Sequence, residues 1–305
     1  MLSKDLLGIS LLEKEDIIEI LKLAKAMKKD VVAKKVDDSI LKNRILATLF
    51  YENSTRTRVS FELAGQHLGA KTVTIVAATS SIQKGESLLD NGYTLDALGA
   101  DFIVLRHSIA GASHILARAT QASVINGGDG ANEHPTQALL DALTMQEYFN
   151  TFQDLKVTIM GDIKHSRVAK SNIYLLNKMG AKVTIFAPNT LLPRGIEALG
   201  VKVAKTKEEA LQGANVVMGL RIQLERMEAG LYPSFSEYNK YFGVCVDDLK
   251  FADTKAIVLH PGPVNRNVEL TSNVIDGEQS QIYNQVTSGI AVRMAVLKLL
   301  KAGKN

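Results

Sequence analysis

The sequence predicts an α/β protein with two doubly wound parallel sheets, one in each of two domains. The chain has 305 residues, and at about 150 residues per domain this length favours two domains that each bury a core. Short apolar runs alternate with stretches of helical spacing, which is typical of parallel strands with helices on both faces. The same alternation restarts after Asn150. These observations together indicate two α/β domains joined near that residue.

The first domain is predicted to open with an amphipathic helix between residues 12 and 35. Apolar side chains recur there at helical spacing and lysines occupy the other face, as in a surface helix. Apolar runs then predict strands at residues 44–50, 72–76, 101–105 and 123–126. Helical spacing predicts helices at residues 57–68, 87–98, 112–120 and 135–149.

The second domain repeats this order of elements. Strands are predicted at residues 156–160, 182–186, 215–220 and 256–259, and helices at residues 166–179, 207–211 and 283–300. We assign residues 1–150 to the first domain and 151–283 to the second, and we expect the last helix, about 284–305, to pack back onto the first. Ligands of open parallel sheets lie beyond the carboxyl ends of the strands. The active site is therefore expected in the cleft between the domains.

Composition narrows the class of protein. Hydrophobic residues make up 46% and charged residues 22%, and the formal charge is only +4, so a folded chain without a nucleic-acid partner is expected. Cys245 is the only cysteine, which excludes an intrachain disulfide and a cysteine zinc site. No leader-like segment or apolar run of about 18 residues is present. We therefore expect a cytoplasmic protein with no membrane contact.

The loop after the first predicted strand carries a phosphate-binding pattern. Ser54, Thr55, Arg56 and Thr57 stand where an apolar strand gives way to a helix. The first N–H groups of a helix attract anions, and hydroxyl and guanidinium groups add to that attraction. Taken alone, the same residues are equally consistent with an ordinary helix cap beside solvent-exposed arginines.

A second polar loop follows the fourth predicted strand. His134 and Gln137 lie three residues apart across a helix start, where Pro135 fixes the first turn. An imidazole and an amide in this arrangement suit a ligand with a carbonyl oxygen and an NH2 group. A lone His-Pro pair is more often a simple turn, so this motif gains weight only beside the first one.

Together these two loops resemble those of the carbamoyltransferases, which transfer a carbamoyl group from carbamoyl phosphate to an amine. The resemblance covers almost the whole chain. Arg106 matches the arginine that the family places between the two motifs. The resemblance implies that the two loops and this arginine bind carbamoyl phosphate, through Ser54, Thr55, Arg56, Thr57, Arg106, His134 and Gln137.

Motifs of the second domain resemble the aspartate branch of the family. Arg167 and Arg221, with Gln223 nearby, match residues that bind the two carboxylates of aspartate, and Gly262 and Pro263 match a step whose backbone contacts the carbamoyl NH2. The Ser-Met-Gly and His-Cys-Leu-Pro segments expected of ornithine enzymes are absent. The resemblance thus implies L-aspartate as the acceptor.

The polar segment from Ala78 to Ser87 matches a loop that the family donates to the neighbouring subunit. By that resemblance Ser80 and Lys84 complete the adjacent active site, Lys84 contacts both substrates, and the enzyme is a homotrimer. Without the resemblance, Lys84 would be one of many surface lysines. The family leaves open whether regulatory chains or a dihydroorotase join the trimer.

The implied reaction gives N-carbamoyl-L-aspartate and phosphate, the committed step of pyrimidine (UMP) biosynthesis. It requires no metal and no organic cofactor. Thr57, Arg106 and His134 would receive the charge on the carbonyl oxygen, and the catalytic set as a whole is Arg56, Thr57, Lys84, Arg106 and His134. Two alternatives stay open: a carbamoyltransferase for another amino acid such as ornithine, and a catalytically silent scaffold subunit.

Overall fold

The computed structural model of the chain describes residues 3–76, 85–222 and 234–302. Its contacts divide the chain into two compact units. Unit 1 comprises Met1–Leu143 and Thr287–Asn305, and unit 2 comprises Thr144–Val286. The predicted domain boundary near residue 150, with residues 1–150 in the first domain and 151–283 in the second, stays a prediction.

Unit 1 is built on a parallel sheet of four described strands in the order β2-β1-β3-β4. The strands are β1 (Ile45–Phe50), β2 (Lys71–Val76), β3 (Phe102–His107) and β4 (Ser123–Asp129). The helices that precede and follow them are α1 (Lys14–Val32), α2 (Thr55–His67), α3 (Leu88–Ala97), α4 (Ala112–Ala119) and α5 (Pro135–Tyr148), the last of which continues into unit 2.

Burial differs between the two edge strands of this sheet. β1 and the edge strand β4 consist almost entirely of buried residues, whereas no residue of the other edge strand, β2, is buried. The N-terminal segment lies beside β4, where Leu6 N donates to Val124 O at 2.9 Å and Asn126 N donates to Leu6 O at 2.9 Å. These bonds cover the edge of β4 that would otherwise be open.

Unit 2 has a second parallel sheet of five described strands, in the order β7-β6-β5-β8-β9. Its strands are β5 (Lys156–Met160), β6 (Lys182–Phe186), β7 (Lys202–Val203), β8 (Val216–Gly219) and β9 (Ile257–Leu259). Its helices are α6 (Arg167–Lys178), α7 (Lys207–Leu211), α8 (Phe235–Phe242), α9 (Ser272–Ile275) and the start of α10 (Ile282–Ala302).

The later part of α10 belongs to unit 1. There Lys28 Nζ donates to Ser288 Oγ at 2.9 Å, and Arg293 Nη1 donates to Ser60 Oγ at 2.9 Å. Arg293 is buried and also lies over the Phe61 ring, 5.0 Å from its centroid. Within the described residues, no helix is both long enough and apolar enough to span a membrane.

The predicted α/β class, with two parallel sheets, is confirmed. The strands predicted at residues 156–160 and 182–186 have those bounds, because short runs rich in apolar and β-branched residues between polar turns mark buried parallel strands. The two-residue strand β7 and the short helices α8 and α9 were not predicted. Such short elements depend on tertiary contacts more than on local periodicity.

Candidate active site

In unit 1, the candidate residues gather where the strand order reverses. β1 is flanked by β2 and β3, so the connections leave β1 and β3 on opposite sides, which opens a crevice at their carboxyl ends. Two loops are attached at the end of β3, because Tyr51 N donates to Arg106 O and Gly130 N donates to His107 O, both at 2.9 Å. The loops after β1 and β4 therefore border one crevice.

The N-terminus of α2 is a helix end that the hydroxyl of its own N-cap residue does not close. Ser54 is the N-cap residue, yet its hydroxyl accepts no bond from the first turn of α2 in the structure. By contrast, the Ser87 hydroxyl at the start of α3 accepts from Asp90 N at 3.2 Å. Both Ser54 and Thr55 were candidate cap residues in the sequence, but Thr55 is the first residue of the helix. The N–H groups of the first turn are therefore available at the carboxyl end of β1, where the crevice lies.

Thr57 and His134 meet in this crevice. Their Oγ1 and Nε2 atoms lie 3.5 Å apart, and the two side chains are only 7% and 4% exposed. The threonine comes from the first turn of α2 and the histidine from the loop before α5. Two residues 77 positions apart in the chain are therefore brought together as the sequence predicted.

Arg106 is held at the end of β3 by two contacts. Its Nη1 donates to Gly127 O at 3.1 Å, and its Nε lies 3.5 Å from a carboxylate oxygen of Glu52. Because one contact comes from strand β4 and the other from the loop after β1, the guanidinium group is oriented before any ligand arrives. Arg56, by contrast, has an exposed side chain.

Gln137 belongs to a buried polar chain that continues into α10. Its Nε2 donates to Asp141 Oδ1 at 2.9 Å, and the Asp141 charge acts on the buried Arg293. Burial lowers the pKa of Arg293 to about 10, while Asp141 opposes that shift. These contacts fix the amide plane of Gln137 at the start of α5. That Gln137 and His134 face the same ligand stays a prediction.

In unit 2, the strand order reverses between β5 and β8, and the predicted arginines follow these two strands. Gly161 directly follows β5 and has a φ of +128°, and a Cβ there would lie 2.4 Å from Leu220 O. Only glycine allows this close approach of the loops after β5 and β8. Arg167 and Arg221 thus project from adjacent loops.

Arg167 is the first residue of α6 and is 5% exposed. The preceding Ser166 closes the helix end, since its hydroxyl accepts from Ala169 N at 3.2 Å. The loop before it is fixed by Asp162, a fully buried carboxylate that accepts from His165 N at 3.1 Å and lies 3.0 Å from His165 Nδ1. The arginine therefore stands on a rigid turn.

A buried carboxylate that the sequence did not reveal ties together the two other loops of unit 2. Glu269 accepts from Ile222 N at 3.0 Å, from Asn265 N at 3.0 Å and from Asn265 Nδ2 at 2.9 Å. Burial raises the pKa of the Glu269 carboxyl, although the bonds it accepts oppose that shift. Glu269 thereby links the loop of Arg221 to the loop of Gly262.

The segment at Gly262 and Pro263 has a fixed backbone. Gly262 N donates to His260 Nδ1 at 2.9 Å, and His260 N donates to Gln285 Oε1 at 2.9 Å. Gly262 has a φ of +65°, in the left-handed region that glycine adopts without strain, and its peptide bond to Pro263 is cis. Pro263 is exposed.

Three predicted residues, Ser80, Lys84 and Gln223, lie outside the described part of the chain. Within the part that is described, no group of three or more His, Cys, Asp or Glu side chains is arranged to hold a metal ion. Two positioning carboxylates, Asp162 and Glu269, were missed by sequence reasoning. Their location in strand-end loops was the available signal, but an acid in such a loop is common.

Comparison with known proteins places the chain in a family. Residues 4–147 match the model of the aspartate/ornithine carbamoyltransferase carbamoyl-P binding domain, and residues 153–300 match that of the Asp/Orn binding domain. The aspartate carbamoyltransferase catalytic subunit of Ruminiclostridium cellulolyticum is 56% identical over 298 residues, which cover 98% of this chain and 95% of the relative.

Solved structures of aspartate and ornithine carbamoyltransferases are similar to this chain as well. Aspartate transcarbamoylase from Trypanosoma cruzi, in complex with N-(phosphonacetyl)-L-aspartic acid, matches with a TM-score of 0.88 at 32% identity, covering 97% of this chain and 95% of that one. Ornithine carbamoyltransferase from Thermus thermophilus matches with a TM-score of 0.87 at 26% identity, covering 98% and 99%. With both domain models matched in order, the chain belongs to the aspartate/ornithine carbamoyltransferase family.

Proposed function

We propose that the protein transfers the carbamoyl group of carbamoyl phosphate to the α-amine of L-aspartate, giving N-carbamoyl-L-aspartate and phosphate. This reaction is the committed step of UMP biosynthesis. The observation that carries the proposal is the crevice of unit 1, where Thr57 meets His134 beside the oriented Arg106 at an open helix end. The family membership of the chain supports the same reaction.

Unit 1 binds carbamoyl phosphate in this proposal. The phosphate lies at the N-terminus of α2, where N–H groups, the hydroxyls of Ser54 and Thr55, and the guanidinium group of Arg56 attract it. The carbonyl oxygen faces Thr57, Arg106 and His134. Gln137, Gly262 and Pro263 are the residues proposed to recognise the carbamoyl NH2.

Unit 2 binds aspartate. A dicarboxylate needs two cationic groups, and Arg167 and Arg221 stand on adjacent, rigid loops at the switch point of the sheet. Gln223 and Lys84 complete this set. Ornithine carries an ammonium group where aspartate carries its second carboxylate, so Arg221 would repel it. This charge difference selects the acceptor within a fold that both kinds of enzyme share.

The chemical step forms one bond and breaks one. The lone pair of the neutral α-amine attacks the carbamoyl carbon, and negative charge develops on the carbonyl oxygen, where Thr57, Arg106 and His134 donate hydrogen bonds. Collapse of this intermediate breaks the C–O bond to phosphate. The leaving phosphate takes the amine proton, so His134 acts as a donor and the step needs no protein base, metal or cofactor.

Turnover with two acceptors tests the proposal. Purified protein is incubated with carbamoyl phosphate and either L-aspartate or L-ornithine, and the carbamoylated product is quantified. We expect aspartate to react at least about 100-fold faster, because the Arg221 guanidinium group attracts the second carboxylate of aspartate and repels the ammonium group of ornithine. Arg221→Ala should remove this preference, whereas Arg194→Ala, at an exposed arginine of the same unit, should preserve it.

Each contrary outcome has its own meaning. Faster turnover with ornithine would overturn the roles of Arg167 and Arg221 but leave unit 1 as a carbamoyl phosphate site. Lack of turnover with either acceptor would overturn the proposed activity and favour a silent scaffold subunit.

The proposal includes a cytoplasmic homotrimer in which Ser80 and Lys84 of one subunit complete the site of the next. Lys84→Ala and His134→Ala should each be nearly inactive. Mixing the two variants under conditions that exchange subunits should restore turnover, because some hybrid sites receive both intact residues. Hybrids that form, as judged by native mass, but stay inactive would contradict a shared site.

A further inference from the structure

A buried carboxylate stands directly before His134 in the chain. Glu133 is 2% exposed. Its Oε2 accepts from Ile9 N at 2.7 Å, and its Oε1 accepts from Ser10 N at 3.2 Å and from Ser10 Oγ at 2.6 Å. All three donors belong to the N-terminal segment, more than 120 residues away in sequence.

This contact is a helix cap made across the chain. Ile9 and Ser10 are the first residues of a short 3-10 helix, Ile9–Leu11, whose preceding residue Gly8 offers no side chain for capping. The Glu133 carboxylate takes that role, and a carboxylate so deeply buried is stable only when its oxygens accept such bonds. The cap therefore fixes Glu133 as firmly as it fixes the 3-10 helix.

The N-terminal segment is itself anchored to the sheet. Leu6 bonds to β4 on both of its backbone groups, and Asn126 Nδ2 donates to Leu7 O at 2.9 Å. Gly8 lies between these bonds and the cap, and its backbone is fully extended, with a φ of −170°. A chain of hydrogen bonds through the N-terminal segment thus connects Glu133 to β4.

The backbone of Glu133 is fixed as well. Its N–H donates to Asp129 Oδ1 at 3.1 Å, and its carbonyl accepts from Asp129 N at 3.2 Å. Asp129 is fully buried and also accepts from Gly111 N at 2.7 Å. Main chain and side chain of Glu133 are therefore held by different elements, and one residue later His134 meets Thr57.

We propose that Glu133 is a positioning residue for His134: its carboxylate, seated on Ile9 and Ser10, holds the loop before α5 so that the imidazole stays beside Thr57 in the crevice. The inference rests on the proposed function, in which His134 donates to the carbonyl oxygen of carbamoyl phosphate. The N-terminal segment thereby becomes part of the support of the active site.

Two variants disturb this anchor in different ways. Glu133→Gln keeps the size of the side chain but removes its charge and one acceptor oxygen. Gly8→Ala leaves every charge in place, but its new Cβ would lie 2.5 Å from Glu133 Oε1, so the carboxylate must move. Asp96→Asn is the matched control, because Asp96 also accepts from two consecutive backbone groups, Gln121 N at 2.7 Å and Ala122 N at 3.0 Å, away from the crevice.

Steady-state kinetics with aspartate distinguishes positioning from general stability. Glu133→Gln and Gly8→Ala should each lower kcat about 10-fold with KM for aspartate unchanged, since small misplacement of a catalytic group is costly. In a His134→Ala background the same substitutions should change kcat by less than about twofold, because a residue that acts through His134 has nothing left to position. Asp96→Asn should leave kcat unchanged.

Equal losses of kcat with and without His134 would overturn the inference, as would an equal loss in Asp96→Asn. Amide hydrogen exchange gives a readout that does not depend on turnover. Exchange at residues 129–134 should become faster in both anchor variants and stay unchanged in Asp96→Asn. Unchanged exchange at residues 129–134 would overturn the role of Glu133 as an anchor, whether or not the wild-type protein carbamoylates aspartate. Failure of the wild-type protein to carbamoylate aspartate would by itself overturn only the proposed function.

Discussion

Helices α2 and α6 begin in the same way in sequence and differently in structure. Each follows a central strand of its sheet, each has serine at the N-cap, and each carries an arginine in its first turn. The Ser166 hydroxyl closes the end of α6 by accepting from Ala169 N, whereas the Ser54 hydroxyl does not close α2. Arg167 is buried and Arg56 is exposed.

The difference matches the two kinds of anion that the units are proposed to bind. A phosphate has several oxygens, which suits an open helix end with many N–H groups. A carboxylate has two oxygens in one plane, which suits the fork of a single buried guanidinium group. We therefore expect that an N-cap serine with an arginine in the first turn serves a backbone site in one unit and a side-chain site in the other.

Removing Arg106 should have the largest effect, because this side chain is proposed to bind carbamoyl phosphate and to stabilise the charge that develops on its carbonyl oxygen. We expect Arg106→Ala to lower kcat/KM about 1,000-fold. Arg106→Lys should recover little of it, since lysine cannot make the paired contacts of a guanidinium group. Steady-state kinetics checks this, with Arg118→Ala at an exposed site on α4 as the control. A loss under tenfold for Arg106→Ala would contradict the role.

Arg167→Ala should act on one substrate only. We expect the KM for aspartate to rise about 100-fold, since a charged hydrogen-bonding pair is lost. The apparent affinity for carbamoyl phosphate should stay within about threefold of wild type. Initial rates measured with each substrate varied in turn separate the two constants. An equal loss for both substrates would show that the units do not divide the binding as proposed.

The two N-cap serines provide a direct contrast. Ser166→Ala removes a used cap and should lower the free energy of unfolding by about 1 kcal/mol. Ser54→Ala removes a hydroxyl that closes no helix end, so stability should hold while carbamoyl phosphate binds about 10-fold more weakly. Urea unfolding and initial-rate kinetics on both variants check this. Equal destabilisation by the two substitutions would contradict the distinction between the helix ends.

The smallest effect is a pH dependence confined to unit 1. Burial lowers the pKa of His107, although Glu52 and Asp129 oppose that shift. The unfolded chain therefore binds a proton more readily, and the free energy of unfolding should fall as pH decreases through about 6.5. In the folded chain, His107 Nδ1 accepts from Ile109 N at 3.0 Å, and protonation of Nδ1 would remove this bond. The free energy of unfolding, measured with urea at pH 7.5 and at pH 5.5, should differ less between the two pH values in His107→Asn than in the wild type. An equal difference in both proteins would contradict the assignment to His107.

Residue types and strand order made much of this predictable from sequence. β5 is a short run rich in apolar residues between polar turns. Thr57 and His134 follow parallel strands, whose carboxyl ends meet at one edge of the sheet. The anchors were not predictable. Glu133 finds its partners at Ile9 and Ser10 only after the N-terminal segment has paired with β4, and no local pattern encodes such a distant contact.

The use of the N-cap serines was equally hidden. Ser54 and Ser166 are the same residue at the same helix position, and only the backbone around each decides whether the hydroxyl reaches an N–H group. Glu269 likewise gains its role from two loops that meet in the folded unit. Sequence therefore predicted the candidate substrate-binding groups but not the buried carboxylates that hold their loops in place.

The most direct test of this division is a calorimetric titration of Arg56→Ala and Arg167→Ala with two ligands, inorganic phosphate and N-(phosphonacetyl)-L-aspartate. We expect Arg56→Ala to lower the affinity for both ligands, whereas Arg167→Ala should lower the affinity only for the ligand that contains aspartate. Loss of inorganic phosphate binding in Arg167→Ala to the same degree as in Arg56→Ala would contradict it.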